Sequence, residues 1–362
     1  MSDTFFIGTR KGLFTVTRQN GGWQCSEPQF AGDPVNIVFP DSRDGSLYAA
    51  LPLGHFGVKL RRRDAGSTDW HECAVPQYPK VGGEEPAKGE SLEEIWAMES
   101  AGPDRAGTLW CGTIPGGLFR SDDRGDNWQL VESLWSVPER ENWFGGGKDY
   151  PGIHSVCVDP RDSNCLTVGV SCGGSWYSDD FGETWQLQAN GMHAAYMPPD
   201  RADDESIQDP HLIAQCTTQP DVLWTQHHNG IFRSTDQGKS WTSIDRAGPS
   251  VFGFAVAVHP TNPDRAWFVP AVKDECRIPV DGRFVVTRTS DGGQTFEVLS
   301  EGLPQTPAYH IVFRHALAID STGERLAMGS STGGLWISED SGDSWQLISN
   351  DLPMVYCVRF VP

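Results

Sequence analysis

Three of the ten histidines stand at one place in short, similar apolar segments. In register the segments read NIVFPD from Asn36, EIWAME from Glu94, HSVCVD from His154, HLIAQC from His211, FAVAVH from Phe254, HALAID from His315 and YCVRFV from Tyr356. If these segments surround a common axis, the imidazoles of His154, His211 and His315 and the carboxylate of Glu94 converge on one point. Imidazole and carboxylate together suit a borderline divalent ion, so the expected cofactor is a divalent metal, with zinc, iron, manganese and nickel left open. The competing reading of each histidine is an ordinary hydrogen bond between neighbouring segments.

Other chemistry-bearing residues fall between these segments. His227 and His228 sit on one predicted turn, with His55 on the corresponding turn of another unit, and His310 lies in a long loop. His227, His228 and His310 are the candidates for general acid or base. Arg277 and Arg314 could clamp a substrate anion, because the guanidinium fork matches a carboxylate. Tyr309, Tyr356 and Asn36 complete the expected substrate-binding set.

The elements that would position these residues are marked by a recurring turn. It reads Ser121-x-Asp123-x-Gly125-x-x-Trp128, and recurs as Ser178/Asp180/Gly182/Trp185, Ser234/Asp236/Gly238/Trp241, Thr289/Asp291/Gly293/Phe296 and Ser338/Asp340/Gly342/Trp345. Two worn copies precede these, ending at Trp23 and Trp70. The seven aromatic positions are 47 to 58 residues apart. Each interval holds about four short strands, which predicts an all-β, seven-bladed propeller over residues 1–362 as a single domain. The first unit lacks an inner strand, and residues 355–361 form a strand without a partner in their own unit. Pairing the two closes the ring and removes both open edges.

The five well-formed turns resemble the Asp-box, or BNR, repeat, and the chain is similar over nearly its whole length to the propellers built from it, among them sialidases and sortilin-type receptors. The resemblance implies that the box aspartates are turn-formers on the face away from the site. It also raises a sialidase-like glycoside hydrolase. Arg277-Ile278-Pro279 is similar to that family's Arg-Ile-Pro motif, but it lies late in the chain rather than near the start, and the residues select no Tyr–Glu nucleophile pair. A non-enzymatic binding or assembly scaffold is the third class.

Connections opposite the boxes are long, at 76–93, 132–152, 188–210, 271–284 and 302–314, and loops of this length in a compact fold usually serve function. They carry aromatic and charged residues, including Lys148, Tyr196, Asp209, Asp274 and Glu275. The favoured reading is a metal-dependent hydrolase or lyase acting there on a small polar or anionic molecule, with carbohydrate-related compounds among the candidates. The net charge of −20 argues against nucleic acid or an anionic membrane as partner. There is no apolar run of spanning length, no secretory-type N-terminal pattern, and nine cysteines without a CxxC pair. Together these point to reduced thiols and a cytoplasmic location. Oligomeric state is not legible.

Overall fold

Alternating apolar residues in short strands, punctuated by glycine turns, build seven four-stranded antiparallel sheets in a computed structural model that describes residues 1–79 and 91–362. Part of the predicted loop 76–93 lies outside the described residues. One complete blade runs Gly152–Val158, Leu166–Ser171, Gly174–Ser178 and Gln186–Leu187, within two residues of the boundaries expected from its turns. The ring closes as predicted. Val355–Phe360 pairs with Thr4–Thr9 and becomes the innermost strand of blade 1. At this seam Gly8 faces blade 2 so closely that a Cβ would lie 2.5 Å from the Val35 carbonyl oxygen. Only glycine lets the two backbones meet there.

Each box forms the predicted turn between the third and fourth strands. In blade 3, Asp123 Oδ1 accepts from Ser121 Oγ at 2.9 Å and from the Asn127 backbone N–H at 2.8 Å. Ser121 Oγ in turn accepts from the Gly125 N–H at 2.8 Å. The turn puts Arg124 at φ 63° and Gly125 at φ 88°, which explains the glycine. Box tryptophans pack between sheets, as when Trp241 donates from Nε1 to the Gln188 carbonyl at 3.0 Å. Trp110, Trp176, Trp224, Trp267 and Trp336 are fully buried between the blades. Side chains of this size each remove about 150–250 Å² from water. All nine cysteines are free thiols. Among the described residues no helix is long and apolar enough to cross a membrane.

Candidate functional site at the mouth of the ring

Inner strands of several blades carry a bulge near the mouth. In blade 3 the pairing skips Trp96, in blade 4 His154, in blade 5 His211, and in the closing strand Tyr356. A bulged residue is released from the ladder and its side chain re-aimed, a device common beside functional sites. The bulges also correct the sequence register. Trp96, not Glu94, is the structural counterpart of His154 and His211, and Glu94 stands two residues nearer the mouth. There Glu94 Oε2 meets Lys148 Nζ at 2.8 Å.

A cavity of about 520 Å³ opens at this mouth. Inner-strand residues lining it are Glu94, Trp96, His211, Phe254 and Tyr356, with Asn36 and His315 just before their strands. Loops add Lys148, Tyr196, Asp209, Arg277 and Arg314, so the long connections do supply the wall. Asn36 is tied down by its Nδ2, which donates to the Ile95 carbonyl at 2.8 Å.

Four predicted site residues stand elsewhere. His154 lies outside this cavity. It is buried beneath Trp96, with ring centroids 5.5 Å apart, and lines a second cavity of about 630 Å³ further along the inner strands. His227 is buried in its strand, where Nε2 accepts from the Asp209 N–H at 3.0 Å. Burial pushes its pKa down to about 3. It therefore stays neutral and positions the Asp209 backbone rather than moving protons. His310 is wedged between Phe284 and Trp336, at 5.0 and 4.9 Å, and is bonded to Thr332. Tyr309 is 63% exposed and outside the cavity. His55, on a short exposed turn, packs edge-on to Phe56 and is also outside.

The expected set Glu94, His154, His211 and His315 is therefore not gathered as one ligand shell. Among the described residues the group whose donor atoms lie within reach of one another is Asp209, His211 and His228, all within 4.8 Å. Asp209 Oδ2 is 3.5 Å from His211 Nε2 and 3.4 Å from His228 Nδ1. Asp209 Oδ1 accepts from Ser171 Oγ at 3.0 Å and from the Cys172 N–H at 3.1 Å. Burial raises the Asp209 pKa, but the contacts with His211 and His228 and the nearby Arg314 charge outweigh it and hold the carboxyl well below its ordinary value. His211 Nδ1 is 2.7 Å from the Gly253 carbonyl, and its ring stacks on Phe254 at 4.7 Å. The trio had a signal in the sequence, the run Asp209-Pro210-His211 with a histidine pair one strand later. The register of first positions passed over the aspartate two residues upstream.

Two arginines face the same space. Arg277 is paired with Asp274 at 2.5 Å. Arg314 forms no ion pair among the described residues, and lies over Trp96 at 4.8 Å and Phe254 at 5.6 Å. Burial lowers its pKa, and the charge of Asp209 offsets part of that cost.

The BNR/Asp-box repeat family matches residues 176–187, and a second Asp-box repeat family matches 118–131. Together with the ring of seven four-stranded sheets, these matches describe a seven-bladed β-propeller that carries BNR/Asp-box repeats. A xyloglucanase of Paenibacillus sp is 26% identical over 233 residues, 58% of this chain and 20% of that protein. Xyloglucanase Xgh74A of Acetivibrio thermocellus is 25% identical over 236 residues, 58% of this chain and 25% of that one. The chain thus spans a quarter or less of the length of these relatives. An ancestral GH74 enzyme superposes with a TM-score of 0.61 at 15% identity, covering 87% of this chain and 38% of that structure. YCF48 from Cyanidioschyzon merolae does so at 0.55 and 12%, covering 90% and 94%. At such identities these structures share the fold.

Proposed function

We propose that the protein hydrolyses a glycosidic bond in a small sugar-derived substrate that carries an acid group, bound in the mouth cavity. The carrying observation is Arg314, which forms no ion pair among the described residues and whose guanidinium carbon lies 4.8 Å from the centre of the Trp96 ring in an aromatic-lined pocket. A carboxylate on the substrate would pair with its fork, and Arg277 could release Asp274 to join it. Trp96, Phe254 and Tyr356 offer apolar faces for a sugar ring. The volume suits a molecule of one or two rings rather than a polymer running through. Similarity to xyloglucanases over more than half of the chain supports the choice of bond. In this reading the wall of Asp209, His211 and His228 supplies the hydrolytic water. The water oxygen bonds to the sugar carbon as the glycosidic bond breaks, and a proton passes to the leaving oxygen.

The test is release of an aryl alcohol from paired aryl glycosides, uronic- and sialic-acid types against their neutral counterparts. The expected result is turnover of an acid-bearing member, with Arg314→Met lowering kcat/KM by ~10–150-fold, the worth of one charge-assisted hydrogen bond. The neutral counterparts should respond little to the same change. Binding of acidic sugars without turnover would replace the hydrolase by a carbohydrate-binding module. Neither binding nor turnover would overturn the reading.

A further inference from the structure

His211 and Asp209 present a conflict of hydrogen-bonding roles. A carbonyl oxygen only accepts, so His211 Nδ1, 2.7 Å from the Gly253 carbonyl, must carry the ring proton. In the neutral ring Nε2 then holds a lone pair. That lone pair lies 3.5 Å from Asp209 Oδ2, which also only accepts. His228 Nδ1 stands 3.4 Å from the same oxygen. Two acceptors buried face to face repel unless a cation stands between them.

The surroundings match what a metal ligand set needs. Asp209 Oδ1 is occupied by Ser171 and Cys172, which aims Oδ2 at the two rings. His211 donates its other ring N–H to a backbone carbonyl, the outer contact that fixes tautomer and orientation in ligating histidines. The carboxylate and the His211 ring are 3% and 2% exposed, while His228 is partly open to the cavity. Gly146 keeps the carboxylate approachable, because a Cβ at that position would stand 3.4 Å from Oδ2 and 2.9 Å from Cys172 Sγ.

We infer that Asp209, His211 and His228 bind a divalent first-row transition ion through Oδ2, Nε2 and Nδ1, leaving its remaining positions open to the cavity. Two nitrogens and one carboxylate oxygen suit zinc with a bound water, or an open iron or manganese centre. The ion would hold the water that the hydrolase reading requires, and to that extent the inference deepens that reading.

The experiment is titration of chelator-treated, untagged full-length protein with zinc by calorimetry, and with cobalt by visible absorption, without substrate. The expected result is about one ion per chain with a cobalt spectrum of low coordination number. His228→Ala, at a partly exposed position, should weaken zinc at least as much as the ~10–100-fold cost of losing an outer partner. Asp209→Asn should do the same, while His154→Gln should leave affinity unchanged. Zinc binding indifferent to both His228→Ala and Asp209→Asn would overturn the site. So would failure to bind either ion; His211 found by NMR as an imidazolium at neutral pH would then identify a proton as the reconciling cation. Ion binding without glycoside turnover would sink the hydrolase reading and leave this one standing. Turnover by ion-free protein would do the reverse.

Discussion

On the box face, Asp180 takes its partners from within four residues. Ser178 Oγ and the Thr184 N–H reach Oδ1 at 2.8 Å each, and Thr184 Oγ reaches Oδ2 at 2.6 Å. On the mouth face, Asp209 draws on Ser171 and Cys172 of the neighbouring blade for Oδ1, and turns Oδ2 toward His211 and His228. Both carboxyl groups are held below their ordinary pKa, Asp180 chiefly by its turn's own hydrogen bonds and Asp209 against the cost of burial. The difference teaches that a depressed carboxyl pKa alone does not mark a site. What separates the two is the span of chain that supplies the partners, and whether an oxygen is left for something else.

The harshest way to break this contrast is to remove the frame that both faces share. Deleting residues 355–362 strips blade 1 of its innermost strand, opens the ring and exposes two edges. The expected outcome is loss of the cooperative melting transition by circular dichroism, not a small shift.

Asp209→Asn should act on chemistry with little loss of fold. Turnover of an acid-bearing aryl glycoside is expected to drop by ~10²–10⁴-fold, the usual worth of a group handling the proton in the transition state. A far-ultraviolet spectrum unchanged from wild type checks that the fold survives.

Acid should separate the faces. Burial first, and then the charge of Arg314, hold His154 well below the ordinary value of 6.5, and burial with Arg359 does the same for His315. Both fold neutral, while the unfolded chain takes up protons below about 6.5. Their stabilising effect is thus complete above that pH and is lost as pH falls toward the folded values. The slope is up to about 1.4 kcal/mol per pH unit for each histidine. Box aspartates, depressed below 3.8, contribute nothing to this window. Urea midpoints between pH 7.5 and 5 should fall for wild type, and fall less steeply for His154→Gln/His315→Gln.

The smallest effect should come from one box. Asp180→Ala removes the local hydrogen bonds of one turn, at a cost near that of a lost helix cap, about 1 kcal/mol. A melting shift of about 1–2 °C with unchanged zinc affinity is expected.

Much of the frame was legible because its determinants are local. A box is a short stretch of hydroxyl, carboxylate and glycine that satisfies itself, so its copies count the blades and locate the inactive face. The missing inner strand of blade 1 and the spare strand at 355–361 were likewise readable as complementary halves of one sheet. The mouth was legible only in part. His211, His315, Glu94, Tyr356 and Asn36 do line the cavity, as do Arg277, Arg314 and His228 from the loops. The register nevertheless aligned Glu94 with His154, because a shift of two residues preserves the in–out alternation of a strand, and only the bulge position shows that Trp96 is the counterpart.

Sequence alone thus determined the number of blades, the turn chemistry and the closure, since each rests on residues a few positions apart or on counting strands. Tertiary structure alone decided that Trp96 rather than Glu94 takes the bulge, that His154 sinks below the cavity, and that Asp209 meets His211 and His228. Those outcomes depend on backbone re-aiming and on contacts between neighbouring blades, which follow from packing and not from sequence spacing.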